Sequence, residues 1–193
     1  MHRILTVRPA FYREVMDNKG SAVHIEAWST GDLDLLRAAN APELMAHLGG
    51  PESEEQLVAR HRRYLDLSTD TSGKGRMYRI VATGSGETLG NVGFWEQLWR
   101  GEPVYEAGWT VLPGFQGRGV ATAATLAVAD AARAVRRHRY LHAFPSVANA
   151  ASNGVCRRAG FTAMGECEVE YPPGNPLQVN DWRLDLHPTD HSG

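Results

Sequence analysis

The chain has little cysteine: Cys156 and Cys167 are the only two in 193 residues. Two are too few for a disulfide framework, and they lack metal-ligand spacing, so free thiols in or near the core are expected. No apolar run is long enough to span a membrane. Charge of one sign is also missing. The net charge of -2 argues against a nucleic-acid or membrane-surface protein. The N-terminal stretch MHRILTVRPAFYREVMDNKG carries charges throughout and no apolar signal-peptide core, which makes a cytoplasmic location the default. Internal repeats and low-complexity segments are absent. So are the P-loop pattern GxxxxGK[ST], the GxSxG elbow and the HExxH zinc motif. His138 and His142 straddle an expected helix-to-strand junction, so they do not share a helix face as a metal pair would. No metal is expected.

What is present is an ordinary globular composition, 42% hydrophobic and 22% charged, in a length that suits one domain. Residues 1–22 read as a lead-in, 23–187 as the domain and 188–193 as a tail. Val23–Trp28 alternates like a strand. Asp32–Ala39 reads as a short helix, and a second helical piece begins after Pro42 and stops at Gly49-Gly50-Pro51. Ser53-Glu54-Glu55-Gln56 has the capping-box pattern and starts a helix over about 54–67. Ser68–Arg76 reads as a mobile polar loop. Met77–Ala82 and Thr88–Trp95 form an expected hairpin, Gln97–Pro103 a connection, and Val104–Leu112 a strand. An alanine-rich helix follows, with Val120, Ala124, Val128, Ala131 and Val135 at helical spacing. Arg133, Arg136 and Arg137 mark its end, where cations suit the helix dipole. Then come a strand Tyr140–Phe144, a helix Asn149–Arg158 stopped by Gly160, and strands Phe161–Tyr171 and Val179–Leu186 around a proline-rich loop at 172–176. The order βααβββαβαββ predicts an α+β (α/β-like) domain with a mixed sheet. The helical crossover after 104–112 predicts one parallel pair.

The most informative stretch is Gln116-Gly117-Arg118-Gly119-Val120-Ala121, a glycine-bearing turn between an apolar strand and a helix. The first N–H groups of a helix lack internal partners and sit at the positive end of its dipole, which suits a phosphate. Gly117 and Gly119 let a ligand approach the backbone closely. A dinucleotide fingerprint needs a third glycine, but position 122 is Thr, and the region about 20 residues on is basic.

The spacing Gln116, Gly119, Ala121 resembles the Q/R-x-x-G-x-G/A turn of the GNAT acetyltransferase superfamily. Asn149-Ala150-Ala151-Ser152 followed by Gly160-Phe161 is similar to a pattern of its ribosomal-protein-alanine N-acetyltransferase-like branch. Leu44–Pro51 and Glu106-Ala107-Gly108-Trp109 extend the likeness, which covers about 23–186. The resemblance implies a mixed sheet of about seven strands flanked by helices, with the fourth strand bulged and splayed from the fifth. It also implies acetyl-coenzyme A as co-substrate and a primary amine, on a small molecule or a protein N-terminus, as acceptor. Dimers are a general expectation of the family.

Residue by residue, the family's pyrophosphate cradle maps to Gln116, Gly117, Arg118, Gly119, Val120 and Ala121, with Thr122 adding its hydroxyl. Trp109, Thr110 and Val111 would lie along the pantetheine arm, with one amide polarising the thioester carbonyl. Asn149 would contact the same arm, or cap its helix, and Ser152 would line the site. Glu106 is the candidate base, with a pKa raised by burial if it faces the cleft. The family's general-acid tyrosine is replaced by Cys156, either a proton donor or a packed small residue. Trp95, Trp99, Tyr171 and the loop at 172–176 are candidate acceptor walls, with Trp28 and Trp95 also readable as core. The contrasting function is a catalytically weak acyl-coenzyme A sensor, which the loss of the tyrosine would suit.

Overall fold

One mixed sheet organises the molecule, and a computed structural model describes residues 15–16, 22–171 and 173–187 of it. The rest of the expected lead-in and tail lies outside the described residues. The strands are β1 (Val15–Met16), β2 (Ala22–Ala27), β3 (Gly75–Ala82), β4 (Thr88–Trp99), β5 (Glu102–Val111), β6 (Tyr140–Ala143), β7 (Thr162–Glu170) and β8 (Pro176–Asp185). They lie in the order β1-β2-β3-β4-β5-β6-β8-β7. Every neighbouring pair is antiparallel except β5–β6, which the expected crossover makes parallel. The expected seven strands are present, with the two-residue β1 added at an edge.

The helices are α1 (Leu33–Ala39), α2 (Pro42–Met45), α3 (Glu54–Thr69), α4 (Val120–Val135) and α5 (Ala150–Arg158). The three helical pieces expected between β2 and β3 are α1, α2 and α3. The capping box forms as its spacing predicts: Gln56 N–H donates to the Ser53 hydroxyl, and Ser53 N–H donates to the Gln56 side chain. The alanines of α4 let it lie close on one face of the sheet, where Ala124, Val128 and Ala132 are fully buried with Phe94, Tyr105 and Leu141. The opposite face carries a second core of Trp28, Leu35, Leu36, Leu57, Tyr64 and Met77. Trp28 belongs to that core, and its indole N–H donates to His61 Nδ1 at 3.0 Å.

Two expectations about connections need correction. β4 continues to Trp99 and turns at Arg100-Gly101, so the expected connection Gln97–Pro103 is mostly strand. Both turn residues have positive φ, 51° and 84°, the backbone of a hairpin turn whose twist matches its strands. The Arg100 guanidinium lies 5.2 Å from the Trp99 ring centre. The loop expected over Ser68–Arg76 is shorter, because α3 runs to Thr69 and β3 starts at Gly75. Asp70 accepts from the Ser72 hydroxyl and from the Lys74 N–H, and the Tyr105 hydroxyl donates to the Gly73 carbonyl at 2.6 Å.

Among the described residues, no helix is long and apolar enough to cross a membrane. His138 and His142 do not converge: the first meets Glu96 at 2.8 Å and the second Asp181 at 2.7 Å. Arg133, Arg136 and Arg137 lie at the far end of α4 from the turn, and Arg133 and Arg137 pair with Asp130 and Glu96.

Candidate active site

The site begins where β5 and β6 part. Their pairing covers only Tyr105–Leu141 and Glu106–His142. The pairing of β5 with β4 runs unbroken from Glu102 to Val111. The expected bulge of β5 is therefore absent from this pairing, and the splay comes from β6 turning away. Residues 107–111 are left with β4 on one side and no strand partner on the other.

Backbone direction follows from the antiparallel pattern, in which hydrogen-bonded pairs alternate along the ladder. Leu112 N–H donates to the Leu89 carbonyl at 2.9 Å, which places Thr110 with Asn91 and Gly108 with Gly93 among the bonded pairs. Trp109 and Val111 consequently turn their N–H and C=O groups toward the gap. Thr110, expected to join them, spends its backbone on β4, and alternation is the physical reason. The Val111 carbonyl is taken by the Gln116 side chain, whose Nε2 donates to it at 2.9 Å. Gln116 thus locks the turn onto the end of β5.

A 3-10 turn, Pro113–Phe115, leads from β5 into the glycine turn. Gly117 has φ of 71°, and a Cβ built on it meets nothing within 4 Å. Gly119 is the N-cap of α4 in the left-handed region (φ 87°, ψ -3°), and no side chain caps the helix. The first amides of α4, from Val120 to Thr122, are thus open to an anion, at the positive end of a 16-residue helix. Arg118 lies over the Phe115 ring (5.7 Å), and Arg158 Nε approaches the Thr122 hydroxyl at 3.4 Å, which adds positive charge beside the turn.

Across the gap, Asn149 is the N-cap of α5, and its Oδ1 accepts from the Ser152 N–H at 3.0 Å. The capping reading of Asn149 thus describes its Oδ1. Asn153, which the sequence reading passed over, carries more of the structure. Its Nδ2 donates to the carbonyls of Ser146 and Asn149, and its Oδ1 accepts from Asn180 and from the Trp182 indole. That buried amide ties α5 to β8. Asn153→Leu should cost about 2–4 kcal/mol, because it leaves several buried partners unsatisfied. Denaturant unfolding would read this, and a loss within 0.5 kcal/mol would contradict it.

Glu106 is the Cα partner of Trp95, and the two share the sheet face opposite α4. A Cβ on Gly108 would lie 2.7 Å from the Trp95 Cη2, so the indole ring lies flat along β5 only because residue 108 has no side chain. Glu106 keeps some exposure, but packing around its carboxyl is close enough that desolvation pushes the pKa from 4.5 up to about 7. A hydrogen bond from the Trp95 side chain opposes the rise in part.

Cys156 is fully buried in the core on the α4 side, and burial pushes its thiol up to about 12. Burial there favours the packing reading of Cys156 over the proton-donor reading. Cys156→Ala should leave turnover per folded molecule unchanged while lowering the unfolding midpoint by removing a buried sulfur. A fall in kcat at intact stability would reverse that assignment. Trp99 and Tyr171, expected as acceptor walls, engage protein groups. The Trp99 indole donates to Asp181 at 3.0 Å, and the Tyr171 hydroxyl accepts from Arg60 at 3.3 Å. A shallow depression lined by Glu96, Gln97, Leu98 and Pro103 lies on the β4–β5 hairpin, toward the other end of β5 from the turn.

An uncapped helix N-terminus thus lies beside an unpaired strand edge, with a desolvated carboxylate at the head of the gap. Residues 23–162 match the family model for the acetyltransferase (GNAT) domain. The chain belongs to the GNAT acetyltransferase family and is an enzyme of the N-acetyltransferase class. An acetyltransferase from Agrobacterium tumefaciens superposes with a TM-score of 0.70 at 20% identity, over 95% of this chain and 98% of that one. An acetyltransferase from Salmonella typhimurium that modifies the N-terminal serine of a 50S ribosomal subunit protein gives 0.66 at 23% identity, over 84% and 94% of the two chains. Spermidine N-acetyltransferase from Vibrio cholerae, solved with coenzyme A and spermine, gives 0.67 at 16% identity, over 85% and 95%. No curated protein sequence matches the chain.

Proposed function

We propose that the protein moves the acetyl group of acetyl-coenzyme A onto a primary amine by direct attack of that amine on the thioester. The observation that carries this reading is Glu106, a desolvated carboxylate with a pKa near 7, at the point where the β5 edge becomes unpaired. The residues present fit the co-substrate. Open space faces Gly117, the first amides of α4 are uncapped, and Trp109 and Val111 direct backbone groups into the gap. When bound, acetyl-coenzyme A supplies the activated acetyl group. The amides of Gly117 to Thr122 hold its pyrophosphate, with Arg118 and Arg158 adding charge. Trp109 and Val111 hold its pantetheine arm like an added strand, and Ser152 lines the same gap.

An ammonium is not a nucleophile, so a proton must leave before attack. Glu106 takes it. A carboxylate of ordinary pKa would be a weak base here, whereas one near 7 is half-ionised at neutral pH and holds the proton more firmly. The acceptor is a polyamine-like small molecule or a peptide N-terminus, the two classes named for the Vibrio cholerae and Salmonella typhimurium proteins. The reaction takes place in the cytoplasm.

The test is thiol release from acetyl-coenzyme A in the presence of spermidine, an aminoglycoside or a peptide with a free N-terminal serine, with the acetyl amide identified by mass. At least one class should give amide and thiol in equal amounts. Tight cofactor binding with no amide from any of them would favour the sensor reading instead.

A further inference from the structure

His142 and Asp181 form a buried pair beside the gap. The imidazole Nδ1 lies 2.7 Å from Asp181 Oδ1, and the residues are 5% and 2% exposed. The other carboxylate oxygen, Oδ2, accepts from the Trp99 indole at 3.0 Å. Phe144 stacks on the imidazole, with ring centres 5.8 Å apart and planes at 18°, and packs on Trp99 at 4.6 Å. The β6 neighbours of His142, Leu141 and Ala143, belong to the core on the α4 side, so His142 projects from the other face. That is the face of Glu106, and His142 is its Cα partner in the last pairing before the strands separate. A carboxylate fixed against Nδ1 keeps the proton there and leaves the lone pair on Nε2. Among the described residues, none hydrogen-bonds Nε2.

An ammonium loses two protons on becoming an amide. Glu106 accounts for the first, which passes to solvent. The second leaves the nitrogen as the new bond forms, while the departing sulfur needs a proton and the Cys156 thiol is buried in the core. We propose that His142 carries this second proton. Its Nε2 takes the proton from the nitrogen as the N–C bond forms and returns it to the sulfur as the C–S bond breaks, with Asp181 as the positioning residue. The imidazole ends neutral, as it began, and no other reactant is needed. This inference rests on the acetyltransferase reading above.

The surroundings agree. Burial lowers the pKa of His142, so the ring is neutral and able to accept. The charged groups facing it are Asp181 and Arg183 from β8, Arg100 from the β4–β5 turn and Glu106 from β5. Asp181 opposes the lowering, while Arg183 and Arg100 add to it.

Two readouts test the proposal. The first is nitrogen NMR of the cofactor-free wild type at pH 7.5, which should show a neutral His142 with Nε2 unprotonated. In Asp181→Asn the proton should move to Nε2. The second is kinetics with whichever of the three amine probes the wild type acetylates. His142→Gln and Asp181→Asn should each lower kcat about 100-fold, with acetyl-coenzyme A affinity and the amine KM within a few-fold. A folded His142→Gln that turns over within twofold of wild type overturns this inference alone, and so does an Nε2-protonated ring in the wild type. A wild type that acetylates none of the three overturns the parent reading and this one together. If neither variant folds, the wild-type NMR result decides.

Discussion

Glu106→Gln should lower turnover by two to four orders of magnitude, the usual contribution of a positioned base, while acetyl-coenzyme A still binds. The wild-type pH profile supplies the signature. A base works only when ionised, and burial puts the Glu106 pKa at about 7, so kcat/KM should rise with pH through about 7 and level off above it. In the Gln variant that limb should vanish. Stability gives an independent check with a definite sign. The folded carboxyl holds its proton more tightly than the unfolded one, whose pKa is near 4.5. Its contribution is therefore fully present below about 4.5 and is lost as pH rises through about 7. The Gln side chain is neutral throughout. At pH 8 the variant should exceed wild type by roughly 3 kcal/mol, and near pH 4 the two should match. Equal stability at both pH values would mean that the carboxyl is solvated. Normal turnover across the pH range would remove Glu106 as the base.

Gly119→Glu should abolish cofactor binding and leave most of the fold intact. The position is left-handed, with φ of 87°, so a side chain there costs about 1–2 kcal/mol. A carboxylate at a helix N-terminus returns about 0.3–1 kcal/mol of that. The same carboxylate occupies the place of the pyrophosphate, next to the open amides of α4, and repels it. Calorimetric affinity for coenzyme A should fall at least about 1,000-fold, which corresponds to roughly 4 kcal/mol. Unchanged affinity would remove the turn from the donor site.

The turn of the candidate donor site was legible because it is made of local chemistry. A turn between a strand and a helix has fixed spacing, and glycines at 117 and 119 announce backbone that no other residue supplies easily. Helix starts were legible for the same reason, as the Ser53–Gln56 box shows. What the sequence hid depends on partners far apart in the chain. Asp181 meets His142 across 39 residues and Trp99 across 82, and no periodicity marks such a meeting. Asn153 sits one turn after Asn149 on α5, yet its partners come from β8 and the loop before the helix. Cys156 was ambiguous because helical position says which face a residue takes and nothing about what closes over it. The turn at Arg100-Gly101 was missed because an arginine at positive φ is not a turn signal.

The most direct test of the donor slot is amide hydrogen exchange, resolved by residue, with and without coenzyme A. Trp109 and Val111 should exchange as unpaired amides in the free protein and become protected on binding, together with the turn from Gly117 to Thr122. Thr110, bonded to β4, should be protected in both states. Saturating coenzyme A that leaves Trp109, Val111 and the turn unprotected would contradict the assignment of this gap as the place where the acetyl donor lies.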